Sequence, residues 1–164
     1  MRFVALALLL AAPGLAACER EPPPPEPPVS IPFEIHGELD VLRGDSVLTT
    51  VAIEIADTDS TRQRGLMQRY EIPERTGMLF IFPYAQQQAF YMANTPRSLD
   101  IMYFGPDSAL VNVAANTRPF DVSTVVSEGP AQFVLEMPAG FARRHGLVPG
   151  DRIRWTDRRF AGGP

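Results

Sequence analysis

The chain has 164 residues, 45% of them hydrophobic, and a formal net charge of −4. A mildly acidic chain carries no electrostatic footprint for nucleic acid and no polybasic patch for anionic lipid. All 15 basic residues are arginine, which excludes lysine Schiff-base and Ser-Lys chemistry.

Met1-Arg2 is a short positive segment, residues 3–12 are apolar, and Leu15-Ala16-Ala17-Cys18 is a small-residue cleavage site ending in cysteine. Such an apolar run, closed by Pro13-Gly14, is too short for a hydrocarbon core of about 30 Å, so residues 1–17 read as a cleaved export signal. Cys18 is the only cysteine and has no disulfide partner within the chain. The arrangement resembles a bacterial lipoprotein lipobox, which implies lipidation of Cys18 and anchoring by two or three acyl chains. Glu19 follows the cysteine where an aspartate would resemble an inner-membrane retention signal. The expected location is the cell envelope, with the outer membrane favoured. Residues 19–32 hold seven prolines with Glu19, Glu21 and Glu26 among them. This run buries no apolar area, so residues 18–32 are expected to form a lipidated polyproline stalk of roughly 40 Å, at about 3.1 Å per residue.

Residues 33–156 suit one domain with its own core, followed by a tail at 157–164. The dominant period is two: Val51, Ile53 and Ile55 alternate with Glu54 and small residues, Phe133, Leu135 and Met137 with Val134 and Glu136, and Ile153 and Trp155 with arginines. These read as half-buried strands, with Trp155 closing the core. Turn signals separate them at Arg43-Gly44-Asp45-Ser46, Gly105-Pro106-Asp107-Ser108, Ser127-Glu128-Gly129-Pro130 and Val148-Pro149-Gly150-Asp151. The Arg-Gly-Asp triplet in the first of these reads as a hairpin turn, not as an adhesion motif. The predicted fold is all-β, a compact β-sandwich or barrel-like single domain with one or two short helices. One helix, capped by Asp59 or Ser60, is predicted to run to about Gln68; Gly65 within it points to close backbone packing. A second covers residues 139–145 and stops at Gly146.

The stretch at 77–100 is the place to look for a site. Two aromatic-rich runs flank a predicted Gln-rich loop at 84–89, and the second run ends in Asn94, Thr95 and Asp100. The loop with Tyr84, Gln88, Tyr91, Asn94 and Thr95 offers aromatic faces and neutral hydrogen-bonding groups suited to a glycan or a peptide, and Asp100 is the sixth ligand-binding candidate. Phe90 and Tyr91 point to opposite faces of a strand, so one of them belongs to the core.

Arg64-Gly65-Leu66-Met67, Gly77-Met78-Leu79-Phe80, Met92-x-Asn94-Thr95, Leu99-Asp100-Ile101, Leu135-Glu136, Ala139-Gly140 and Gly150-Asp151 occur in this order. In this order and spacing they resemble the DUF192 family of small prokaryotic domains over about residues 51–155. The resemblance implies a compact β-sandwich-like or barrel-like fold with a little helix, and brings no established activity or catalytic residues. The chain departs from the family pattern at Tyr91 and Ala93, where tryptophan and lysine are usual.

Among alternative chemistries, Asp100 and Glu136 facing each other could serve a hydrolase as acid and base. The competing reading, which weighs more, has Asp100 capping the Asn94-Thr95 turn and Glu136 paired with Arg64 or Arg97, because buried carboxylates need partners. His36 and His145 lack a nucleophile to serve, and no His/Cys set for a metal is present. Met67, Met78, Met92, Met102 and Met137 could hold Cu(I) through soft thioethers, although each also reads as core filling. No cofactor is expected. The leading expectation is a membrane-tethered domain that binds a ligand or an envelope partner.

Overall fold

The computed structural model describes residues 30–160. The export signal, Cys18 and the stalk up to residue 29 lie outside the described residues, as do residues 161–164. Strands β1 (Gly37–Arg43), β2 (Ser46–Ala56), β3 (Thr76–Phe90), β4 (Leu99–Phe104), β5 (Leu110–Ala114), β6 (Val125–Pro138) and β7 (Arg152–Trp155) form one sheet. Its order is β5-β4-β6-β3-β2-β1-β7. The all-β expectation holds, in the barrel-like form: the sheet curls until its two edges meet. Ala109 bridges to Arg152, Leu110 N–H donates to Asp151 O at 2.7 Å, and Ile153 N–H donates to Ser108 O at 3.1 Å. Pairing edge to edge removes open donors that would otherwise template association.

Alternation sorts the side chains. Val51, Ile53 and Ile55 of β2 enter the interior with Leu39, Leu79, Phe104, Leu135 and Met137. The outer face is also apolar where β3, β4 and β6 lie side by side, with Met78, Phe80, Leu99, Ile101, Tyr103 and Val134 buried there. Every residue of β4 is buried, and so is each of residues 133–137 in β6. The half-buried strand expected at 133–137 is therefore buried on both faces. The cause is topological. β2 and β3 are the parallel pair, and a parallel connection needs a crossover over one face of the sheet. That crossover carries α1 (Asp59–Arg64), with Leu66 buried and Ile72 packed against the outer apolar cluster, which Met92 joins from the segment after β3.

Three sequence-derived boundaries shift. The Gln-rich segment is not a loop but the second half of β3, and Ser127-Glu128-Gly129-Pro130 is not a turn but part of β6. Ile81 faces Phe133 and Gln86 faces Ala131, so β3 bulges over residues 82–85; Gln87 faces Pro130 and Ala89 faces Val126, so β6 bulges over 127–129. Pro83 has no N–H to give the ladder. Side chains replace the lost pairing: Ser127 Oγ accepts from Gln88 N–H at 2.9 Å, and Gln88 Nε2 donates to Ala131 O at 3.2 Å. α1 ends at Arg64 and not near Gln68, because Gly65 takes φ +50. Its cap is Thr58, whose Oγ1 accepts from Thr61 N–H while Thr61 Oγ1 accepts from Thr58 N–H, a reciprocal capping box. At the domain ends, Arg69 Nη1 donates to Pro32 O at 3.0 Å, and Arg159 pairs with both Asp57 and Asp157 at 2.7 Å. The chain is thus attached from before residue 33 to beyond residue 156. Trp155 is half-buried and packs its ring 4.9 Å from that of Phe133.

Asp100 is fully buried on the inner face beside α2 (Phe141–Arg144). Its carboxyl accepts from the N–H groups of Asn116 at 2.9 Å, Gly140 at 3.1 Å and Ala142 at 2.9 Å. It therefore fixes the loop after β5 and the start of α2, not the Asn94-Thr95 turn. Each orphaned N–H costs about 1–3 kcal/mol, so Asp100→Ala is expected to lower stability by about 3 kcal/mol or more in urea denaturation. A loss below about 1 kcal/mol would show that water replaces the carboxyl.

Candidate functional site

The outer face of the sheet carries two carboxylates in one cross-strand row. Glu54 of β2 faces Met78 of β3, and Met78 faces Glu136 of β6. Paired residues share a face, so the two acids flank Met78 under the crossover. Glu54 has a partner: Arg69 holds it through two bonds of 2.8 and 2.7 Å, and the guanidinium carbon lies 4.4 Å from the centroid of Phe33.

Glu136 is 5% exposed. Its cross-strand neighbours are Met78 and Ile101, both apolar and buried. Burial pushes its carboxyl up to about 8, and no charge or hydrogen bond from the described residues offsets that rise. The Tyr103 hydroxyl is raised likewise, by burial and then by the Glu136 carboxylate; it donates to Val125 O at 3.0 Å.

Above Glu136 a cavity of about 250 Å³ opens between the crossover and the second half of β3. Phe80, Phe82 and Phe90 wall it together with Leu66 and Met67. Phe80 and Phe90 meet edge to face at 5.0 Å, and Phe82 and Phe90 at 6.4 Å, which fixes the ring planes. Gly65 lets the crossover come this close: a Cβ there would sit 3.2 Å from the Phe80 ring, on a backbone at φ +50. Arg62 and Arg64 stand at the rim. Arg62 is engaged, donating to Asp57 O, to Ile81 O at 2.8 Å and to Asp59 at 2.6 Å, with its guanidinium 5.5 Å from the Phe82 centroid. Arg64 is exposed.

Of the residues singled out in the sequence, Gln88, Tyr91, Thr95 and Glu136 are brought together in this cavity. Asn94 lines an adjoining depression with Tyr91, at φ +60, and its carbonyl accepts from Gln68 N–H at 2.8 Å. Tyr84 projects from the β3 bulge, 69% exposed and away from the cavity. Asp100 is on the other face of the sheet: it faces Met137, whereas Glu136 faces Ile101. The carboxyl pair imagined for a hydrolase therefore does not form. Glu136 meets neither Arg64 nor Arg97 in an ion pair; Arg64 only lines the same cavity, and Arg97 belongs to a different surface depression. The methionines divide, Met78 and Met92 on the outer face and Met102 and Met137 on the inner, which splits the thioether set. Phe90 belongs to the walls and Tyr91, half exposed, to the rim; β3 ends at Phe90, so the two do not sit on opposite faces of one strand and both line the cavity. Phe80, Phe82 and Leu66 were missed as lining residues, since their periodicity is that of plain core. The Gly65 signal was the available clue.

The sequence model of the DUF192 family, described as "Uncharacterized ACR", matches residues 41–155. Two crystal structures are similar to the chain. One, a protein of unknown function from Novosphingobium aromaticivorans DSM 12444, is 32% identical with a TM-score of 0.71, over 79% of this chain and 94% of that one. The other, from Sinorhizobium meliloti 1021 and described provisionally as a transcription regulator, is 28% identical with a TM-score of 0.70, over 77% of this chain and 96% of that one. No curated protein matches the chain.

Glu136 ties stability to pH. Its folded-state value of about 8 exceeds the ordinary 4.5, so the unfolded chain releases the proton first. Stability contributed by the neutral acid is present below pH 4.5 and is lost as pH rises toward 8, at about 1.4 kcal/mol per unit. Glu136→Gln removes this slope. The stability gap between variant and parent is expected to widen by on the order of 4 kcal/mol from pH 4.5 to 8 and then level off, read by urea denaturation. A gap independent of pH would mean the carboxyl is well solvated.

Proposed function

The chain belongs to the DUF192 family, and from that premise we propose that it is an envelope lipoprotein whose β domain binds a ligand in the cavity over Glu136. The observation that carries the reading is a buried carboxyl without a partner among the described residues, lining an aromatic-walled cavity, since a desolvated acid in a cleft is a candidate for a functional site. A cavity of about 250 Å³ suits one inserted side chain of a peptide better than a sugar, which stacks on a broad exposed ring. Tethering rests on the lipobox around Cys18. The net charge of −4 weighs against carrying over the regulator description of the Sinorhizobium protein.

Ala89 is exposed and lines the cavity, so a large side chain there closes the mouth without entering the core. Amide chemical shifts are to be followed during titration with acetyl-Ala-X-Ala-amide tripeptides, X covering all side chains, and with N-acetylglucosamine disaccharide. Saturable shifts around Gly65, Phe90 and Glu136 that vanish in Ala89→Trp are expected for at least one tripeptide. Silence from every probe at millimolar concentration defeats the binding reading.

The anchor has its own test. In cells, Cys18→Ala is expected to leave an unprocessed precursor of higher mass and to release no lipidated form into the membrane fraction. Normal maturation of that variant refutes lipidation.

A further inference from the structure

We infer that the cavity takes an organic cation, an alkylguanidinium or alkylammonium group, with its hydrocarbon against Phe80, Phe82 and Phe90 and its charge on the Glu136 carboxyl. The inference deepens the binding reading above and rests on it. The molecule contains its own template. Two cross-strand positions from Glu136, on the same face, Glu54 holds the Arg69 guanidinium in a forked pair while the Phe33 ring covers it at 4.4 Å. The pieces are a carboxylate, an aromatic face and a planar cation, a combination in which ion pairing and the ring quadrupole act together. Around Glu136 the carboxylate and the rings recur and the cation is missing.

No arginine of the neighbourhood supplies it. Arg62 is spent on Asp57 O, Ile81 O and Asp59, and both Nη groups of Arg69 are spent on Glu54 and Pro32 O, with its Nε buried and unpartnered. Arg64 stays at the exposed rim and leaves no mark on the Glu136 carboxyl. An anionic ligand would find an acid at the floor. A neutral ligand would use the protonated acid only as a donor and would leave the ring faces without electrostatic work.

The two alternatives differ in the sign of their pH dependence. The groups that face Glu136 are Tyr103 from β4, Arg62 and Arg64 from α1, Gln88, Tyr91 and Thr95 from β3 and the segment after it, and the Glu54–Arg69 pair beyond Met78. None of them is a histidine. A cation needs the ionised carboxylate, so its binding strengthens as pH rises toward 8, where burial holds the free acid; a neutral acceptor needs the proton and weakens over the same range.

The experiment uses the 30–160 domain within the full mature chain, titrated at pH 6.0 and 8.5 with acetyl-Ala-Arg-Ala-amide, its neutral isostere with citrulline, the norleucine analogue, and free n-butylguanidinium. The arginine peptide is expected to bind at least about tenfold more tightly at the higher pH, and at least about tenfold more tightly than the citrulline peptide there. Glu136→Gln, checked for folding by its amide spectrum, is expected to abolish both differences. Binding of butylguanidinium without the peptide assigns the cation to a free small molecule, and binding of both assigns it to a basic side chain; either supports the inference. Citrulline or norleucine peptides bound as well as arginine, or affinity falling with pH, overturns the cation and leaves the binding reading standing. Silence from all four probes overturns the cation alone, because the full tripeptide and disaccharide set decides the binding reading.

Discussion

A sheet that is apolar on both faces leaves a carboxyl few ways to exist within it. Withdrawing an ionised carboxylate from water costs several kcal/mol even after relaxation, so donors, a counter-charge or a proton must offset the loss. Three acids on this sheet take three different courses. Asp100 is met by three backbone N–H groups, Glu54 by the Arg69 guanidinium, and Glu136 by a proton. The first two courses tie separate pieces of chain to the sheet, α2 and the loop after β5 in one case and the crossover in the other. The third ties nothing.

The burial that imposes this choice comes from connectivity. A parallel β2–β3 pair obliges the chain to travel across the outer face, and the crossover brings Leu66 down onto Phe80 and Met78. Gly65 sets how near it comes, because only a residue without Cβ fits against Phe80 at that backbone angle. The opposed bulges of β3 and β6 then turn Gln88 inward, where it bonds across to Ala131 and Ser127, and throw Tyr84 outward. The cavity is what remains between a crossover held off by its own backbone and a strand that has left its regular register.

Much of this was legible in the residues. Period-two patterning marked the strands of β2 and β7 and the all-β class, and turn residues marked the Arg43-Gly44-Asp45 turn. What patterning could not give was any consequence of the third dimension. Residues 133–137 read as half-buried because alternation reports one face at a time, and the cover on the other face comes from residues more than fifty positions earlier. The glutamines read as loop because three in a row suit no apolar pattern; their amides serve instead to repair a bulged ladder. Asp100 and Glu136 looked like partners because both interrupt apolar strands, yet the register that makes the strands neighbours sends the two side chains to opposite faces. Gln88, Tyr91 and Thr95 were found because polar residues beside aromatic runs violate the core pattern, and that violation is where a site departs from packing.

The energetic asymmetry between Glu54 and Glu136 argues that the cavity is a working surface. With a folded-state value near 8 against 4.5 when unfolded, Glu136 reduces stability by about 3 kcal/mol at neutral pH, a large part of the 5–15 kcal/mol that holds a domain of this size together. Leucine at that position would carry no such cost, and its cross-strand neighbours Met78 and Ile101 are apolar. An arginine from the crossover would also have resolved it, as Arg69 resolves Glu54 two strands away. The chain brings Arg64 to the rim and stops there, leaving the floor open and its acid unpaired. Stability given up at a residue that faces an open cavity, when the same sheet shows how to recover it, is the pattern expected where an external group completes the site.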